Sequence, residues 1–173
     1  ATNNGASYAD IRICKNRNQN VSTSEDRVDN ISDSDDIGFG VRVLINGTWG
    51  FASSAFVNET EVVKVTLLAC EMSKANSILQ KIPVELSVTK SYNDTYNTPI
   101  EINPFDISIT DKINLQLKYN KLAMTSGADY ISSFMWFINE WKFFASSEGS
   151  VITQNLFRIW AQTEVTLVDK KEG

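Results

Sequence analysis

Several residue sets in this chain have the types and spacing for chemistry, and each implies a definite ligand or reaction. Asp33, Asp35 and Asp36 suggest a calcium loop, but a loop beginning at Asp33 needs Glu at its twelfth position, where Leu44 stands. The acidic run also leads into a strand rather than a helix, so it reads as a solvated turn. Gly38-x-Gly40 resembles the start of a phosphate loop, yet Val43 holds the third glycine position and a strand follows. Ser87-Val88-Thr89-Lys90 has the Ser-x-x-Lys spacing of acyl transfer. That pair works at the start of a helix, whereas the alternation here is that of a strand. Cys14 and Cys70 have no neighbours that complete a metal-ligand set and read as free, small hydrophobes. Trp49, Trp136, Trp141 and Trp160 can stack on bases or sugars, but aromatics alternating along strands mainly fill cores. Trp49, between Gly47 and Gly50 beside a tight turn, is the exception and is expected to line a cavity.

Histidine is absent from the chain. That removes the Ser-His-Asp triad, zinc helices of the His-Glu-x-x-His type and imidazole acid–base catalysis. The formal net charge of −5 is the wrong sign for gripping phosphate backbones, so no nucleic-acid partner is expected. No apolar stretch approaches the roughly 20 residues that cross a bilayer, and no membrane partner is expected. The 173 residues suffice for one domain with a sizeable core, and residues 1–173 are read as one domain. The opening Ala1-Thr2-Asn3-Asn4 reads as a cut end, from processing or from a shortened chain. A cytoplasmic location is expected, with export after removal of a leader as the alternative. Five Asn-x-Ser/Thr sequons occur, at Asn20, Asn30, Asn46, Asn58 and Asn93, as an asparagine-rich chain gives by chance.

The most informative stretch runs from Gly38 to Ser54. It reads as an apolar strand, an Asn46-Gly47 hairpin turn and a short aromatic return strand. Its four glycines, Gly38, Gly40, Gly47 and Gly50, imply backbone or ligand approaching too closely for a side chain. The stretch resembles the N-terminal domain of the TldD/PmbA family, proteins known as DNA gyrase modulators that include zinc metallopeptidases. Upstream, Gly5-Ala6-Ser7-Tyr8-Ala9-Asp10-Ile11-Arg12 is similar to that family's first strand. Downstream, Phe144-Ala145-Ser146-Ser147-Glu148-Gly149 is similar to its late turn. The three matches span most of the chain in the family's order, and the TldD branch fits better than the PmbA branch.

The resemblance implies a chain that is the N-terminal domain of a TldD-like zinc metallopeptidase and is not catalytic by itself. It would help form a homodimer or heterodimer and a chamber that admits unstructured peptides. Zinc would be held by a His-Glu-x-x-x-His helix in a C-terminal domain that this chain lacks, with no cofactor here. Arg42, Gly47, Trp49, Gly50 and Phe51 are the structural or chamber-lining candidates. The alternative is a non-catalytic peptide-binding or scaffold subunit of the same family.

These residues must be positioned by the elements around them. A strand is expected over Tyr8 to Cys14, with Tyr8, Asp10, Arg12 and Cys14 on one face and Ala9, Ile11 and Ile13 on the other. Lys15 to Ser24 reads as a turn with a weak edge strand, Arg27 to Ile31 as a short strand and Ser32 to Asp36 as a loop. Asn58 with Glu61 three residues later opens a helix to about Lys81, with Val62, Val65, Ala69, Met72, Ala75 and Leu79 as its stripe. Val84 to Val88 alternates as a strand, and Ser91 to Pro104 reads as a loop. A second helix begins near Ser108 with the stripe Ile109, Ile113, Leu117 and Met124, and Gly127 closes it. Strands follow over Asp129 to Ile138, Trp141 to Ala145 after an Asn139-Glu140 turn, and Val151 to Val168. The expected fold is α+β: a mainly antiparallel sheet covered by two long helices, a two-layer α/β sandwich.

Overall fold

The computed structural model describes residues Ala1 to Asp169. Its strands are β1 (Tyr8–Ser24), β2 (Arg27–Ile45), β3 (Thr48–Ser54), β4 (Asn93–Asn97), β5 (Tyr130–Ser146) and β6 (Val151–Thr166). Its helices are α1 (Glu59–Ser77) and α2 (Ile109–Thr125). The strands pair in the order β3-β2-β1-β5-β6-β4. β2 and β3 are antiparallel, whereas β4 runs parallel to β6, so the sheet is mixed.

This corrects the expected architecture of a mainly antiparallel sheet covered by two long helices. Helices of 19 and 17 residues rise only about 25–30 Å, while strands of 17 to 19 residues extend about 55–65 Å. The six strands hold more than twice as many residues as the two helices, so the helices do not make a covering layer for this mixed sheet. The strands are long because stretches read as turns are in fact paired. Arg17 and Gln19 on β1 both bond Asp33 on β2, Asn16 bonds Asp36 at 2.9 Å, and Asn30 bonds Asn20. These cross-strand partners keep the polar tracts in extended form. Asn139 and Glu140 make no turn, and β5 runs straight through them.

The chain folds as two compact units, and β1, β2, β5 and β6 contribute residues to both. The first comprises Ala1–Asn16, Asp36–Asn97 and Glu140–Asn155. Its core joins Phe39, Val41, Val43 and Ile45 of β2 with Ala52 of β3 and Val65, Ala69 and Cys70 of α1. Ala9, Ile11 and Ile13 pack against this cluster, as the alternation along β1 requires. Asn58 caps α1 by accepting from the Glu61 amide at 2.9 Å. Val65 and Ala69 of the expected stripe are buried, whereas Met72, Ala75 and Leu79 are exposed, and Cys70 and Ser73 are buried in their place. The segment expected as a strand at Val84 to Val88 has no regular structure, and Val88 is fully exposed. Its one backbone tie to the hairpin is the Val84 amide donating to Gly47 O at 2.7 Å.

Among the described residues, the second unit comprises Arg17–Asp35, Thr98–Asn139 and 156–169. Ser108 caps α2 through the Asp111 amide at 3.0 Å, and Gly127 follows at φ +104°. The apolar stripe of α2 is only half-buried. Its fully buried line is the polar one beside it, Lys112, Gln116 and Asn120 at four-residue steps.

Candidate functional site

The Asn46-Gly47 turn forms as its residue types demand, with φ of +50° and +71° at the two positions and Ile45 paired to Thr48. A side chain on Gly47 would also meet Pro83, whose Cβ lies 2.4 Å from the position a Cβ would take. On the return strand, Gly50 and its neighbours face opposite ways. Gly50 looks toward α1, where a Cβ would stand 2.0 Å from Ala69 O and 2.6 Å from Ser73 N. Ser73 Oγ donates to Thr48 O at 2.6 Å beside it. The backbone that approaches Gly50 is therefore α1 of this same chain.

Trp49 and Phe51 point to the other face of the strands. That face carries Tyr8, Asp10, Arg12 and Cys14 from β1, and Gly38, Gly40, Arg42 and Leu44 from β2. Helix α1 covers only the opposite side. Phe51 is opposite Arg42 in the register and lies across Gly40, whose added Cβ would be 2.7 Å from the ring; Phe51 is still 54% exposed. Beyond it, an open groove of about 590 Å³ is lined by Cys14, Gly38, Gly40, Phe51 and Ser53.

The charges on this face are organised around Asp10. Its side chain is 2% exposed, and its Oδ2 accepts from Arg42 Nε at 2.9 Å and Arg42 Nη2 at 2.6 Å. Arg12 Nε lies 3.5 Å from the other oxygen. The Arg42 guanidinium sits 4.5 Å from the centre of the Trp49 ring and 6.0 Å from that of Tyr8. Tyr8 meets Trp49 edge to face at 5.7 Å, and Arg12 lies over Phe144 at 5.4 Å. Burial, and then the hydrogen bond and charge of Asp10, hold the Tyr8 phenol above its ordinary pKa. Burial works against the Arg42 cation, but Asp10 and then Tyr8, through hydrogen bonds and charge, together outweigh it and hold the guanidinium above its ordinary pKa.

Of the five residues expected from sequence, three converge here: Arg42, Trp49 and Phe51. Gly47 and Gly50 belong to the turn and the helix contact. Tyr8, Asp10, Arg12 and Phe144 were not singled out, although the alternation of β1 already set the first three on one face. An aspartate in an otherwise half-buried strand was the available signal, because such a group requires a cationic partner.

No residue set here suits a metal. Cys14 and Cys70 are free, Cys70 lies on the buried side of α1 in the core, and among the described residues no three His, Cys, Asp or Glu side chains gather as ligands. Among the described residues no helix is long and apolar enough to cross a membrane.

Comparison with known proteins adds a class to this geometry. Residues 9–73, which hold β2, β3, most of β1 and most of α1, match the model of PmbA/TldA metallopeptidase domain 1. Metalloprotease MJ0996 of Methanocaldococcus jannaschii is 29% identical over 151 residues, covering 87% of this chain and 34% of the relative. TldE from Thermococcus kodakarensis shares the fold at a TM-score of 0.75 and 16% identity, over 95% of this chain and 37% of that one. A Thermotoga maritima protein named as a DNA gyrase modulator superposes at 0.69 with 13% identity, over 91% and 39% of the two chains. All three comparisons liken the chain to the N-terminal part of the TldD/PmbA proteins. It spans about a third of the length of the curated relative it matches.

Proposed function

We propose that this chain is the non-catalytic N-terminal domain of a TldD-like zinc metallopeptidase. In this reading residues 1–173 act as one domain, help form the dimer, and wall a chamber that admits unstructured peptides. The metal and the reacting groups belong to a C-terminal domain outside this chain. The observation that carries the reading is the open face of β1, β2 and β3. Arg42, Trp49 and Phe51 stand there on the side away from α1, above strands thinned by Gly38 and Gly40. An exposed phenylalanine over a glycine, next to an aromatic-seated guanidinium, is a surface for extended peptide rather than a sealed core. The residues of this chain would bind and align a peptide; none of them moves a proton in the cleavage.

The test has two arms. The isolated chain should neither cleave peptides nor hold stoichiometric zinc at micromolar concentration. Phe51→Ala should leave its melting temperature nearly unchanged, because the ring is exposed, yet lower peptide turnover several-fold when introduced into the full-length protein. Cleavage by the isolated chain, or full activity of the Phe51→Ala enzyme, would refute the reading.

A further inference from the structure

The hairpin face carries a charge imbalance that its architecture does not use. Two guanidinium groups, Arg12 and Arg42, share one carboxylate, Asp10. Lys142 on β5 of the same unit has its own partner in Glu140 at 2.9 Å. The Asp10 cluster itself is therefore left with a surplus of one positive charge, while Asp36, which lines the groove further along the same face, is bonded to Asn16 at 2.9 Å.

The two cations are also held in place. Arg42 is fixed by Asp10 and laid on the Trp49 ring, and Arg12 is laid on the Phe144 ring. A guanidinium has five N–H donors, and Arg42 directs two of them to Asp10. The Arg42 side chain is nevertheless 38% exposed and that of Arg12 58% exposed. Asp10, at 2% exposure, has no surface left to offer a ligand. What the face presents outward is two oriented forks of N–H donors, a match for a planar carboxylate.

We infer that Arg12 and Arg42 form a subsite for a carboxylate of the bound peptide, either its C-terminal carboxylate or an Asp or Glu side chain. The inference rests on the peptide-binding reading above and names the chemistry of one end of that ligand. Asp10 acts as a positioning residue: it orients Arg42 from below and leaves the outer edge of both forks to the ligand. Ring stacking supplies the rest of the orientation, so little order has to be imposed when the peptide arrives.

The experiment measures binding of fluorescent unstructured peptides to this chain by anisotropy. Three peptides of one apolar sequence are compared: a free C-terminal acid, its C-terminal amide, and the amide with one internal Glu. The acid, the Glu-containing amide or both should bind about tenfold more tightly than the plain amide, and which of the two does so identifies the source of the carboxylate. Arg12→Gln should abolish that preference while leaving affinity for the plain amide and the melting temperature unchanged; Arg12→Lys should restore part of it. Equal binding of all three peptides would overturn the carboxylate subsite and leave the peptide-binding reading standing. A preference that survives Arg12→Gln would place the carboxylate elsewhere and also overturn it. Failure of every peptide to bind at millimolar concentration would overturn both.

Discussion

The two units each place a cation against aromatic rings, and they do so in opposite ways. In the hairpin unit, Arg42 lies on Trp49, bonds a carboxylate and keeps part of its surface in water. In the other unit, Lys112 is 3% exposed, bonds the Gln19 side-chain oxygen and lies over the Phe137 ring at 4.2 Å. It bonds no carboxylate among its described contacts; Asp33 acts on it only at a distance. The line continues with Gln116 Nε2 donating to Val21 O and Asn120 Nδ2 to Thr23 Oγ1, both at 3.0 Å. Ser133 Oγ in turn donates to Asn120 Oδ1 at 2.7 Å. A polar line turned inward and bonded to protein at all but one of its buried atoms, Gln116 Oε1, fixes the register of a helix on a sheet. A charged face turned outward with donors left over is available to a ligand. Polarity alone therefore does not mark a site; the direction in which the donors point does.

The largest effect should come from the side of β3 that is structural. Gly50→Val drives a side chain into the Ala69 carbonyl, so it should cost about 3 kcal/mol or more and be visible in a thermal melt. The contrast with Phe51→Ala, one residue along and facing the other way, sharpens the division between the two faces. If Gly50→Val melts like the parent chain, the packing of α1 on the hairpin is wrong.

Asn120→Ala tests the inward seam. Asn120 is fully buried and joins Thr23 to Ser133, so its loss leaves buried hydroxyls short of partners and should cost about 2 kcal/mol in denaturant unfolding. Gly47→Ala should cost about 1–2 kcal/mol, from positive φ and the contact with Pro83. Arg12→Gln, on the outward face, should change stability by less than about 1 kcal/mol, because the Arg12 guanidinium is exposed and the buried Asp10 carboxylate keeps both hydrogen bonds from Arg42. A larger loss there would make the Arg12 contact a structural one.

Much of the first unit was legible. Asn-Gly in a β pattern dictates its turn, and Asn58, like Ser108 in the second unit, is a helix cap whose side chain accepts the expected amide. Arg42, Trp49 and Phe51 followed from the hairpin because period-two alternation places them together. The long strands were not legible, since Lys15–Ser24 and Ser32–Asp36 are extended through partners such as Arg17 and Asp33 that lie 16 residues apart. Nor was the buried seam of α2. Apolar periodicity pointed to Ile113 and Leu117, and nothing local reports that Lys112, Gln116 and Asn120 will find their acceptors and donors about 95 residues earlier on β1.

The smallest effects are those of pH, and their signs separate the units. Burial first, with Asp33 opposing it, lowers the Lys112 pKa from 10.5. The unfolded chain then binds the extra proton, so stability rises with pH through the lowered value toward 10.5. The melting temperature of the parent chain should therefore gain on that of Lys112→Met as pH is raised from neutral. Tyr8 works the other way: its raised phenol contributes stability that is present below pH 10 and lost as pH rises through the folded value. Asp33 is held low by its hydrogen bond to Arg17, so the parent chain should lose its advantage over Asp33→Asn as pH falls below 3.8.

The most direct test of the central claim is to map where an unstructured peptide touches the chain. Backbone and indole resonances of the isotope-labelled chain would be followed while a disordered peptide is added to saturation. The account predicts that Arg42, Trp49 and Phe51 shift together with Arg12, while Val43, Ala69 and the Lys112–Asn120 line stay still. Shifts concentrated on α1 or on the α2 seam, with the hairpin face unmoved, would contradict it.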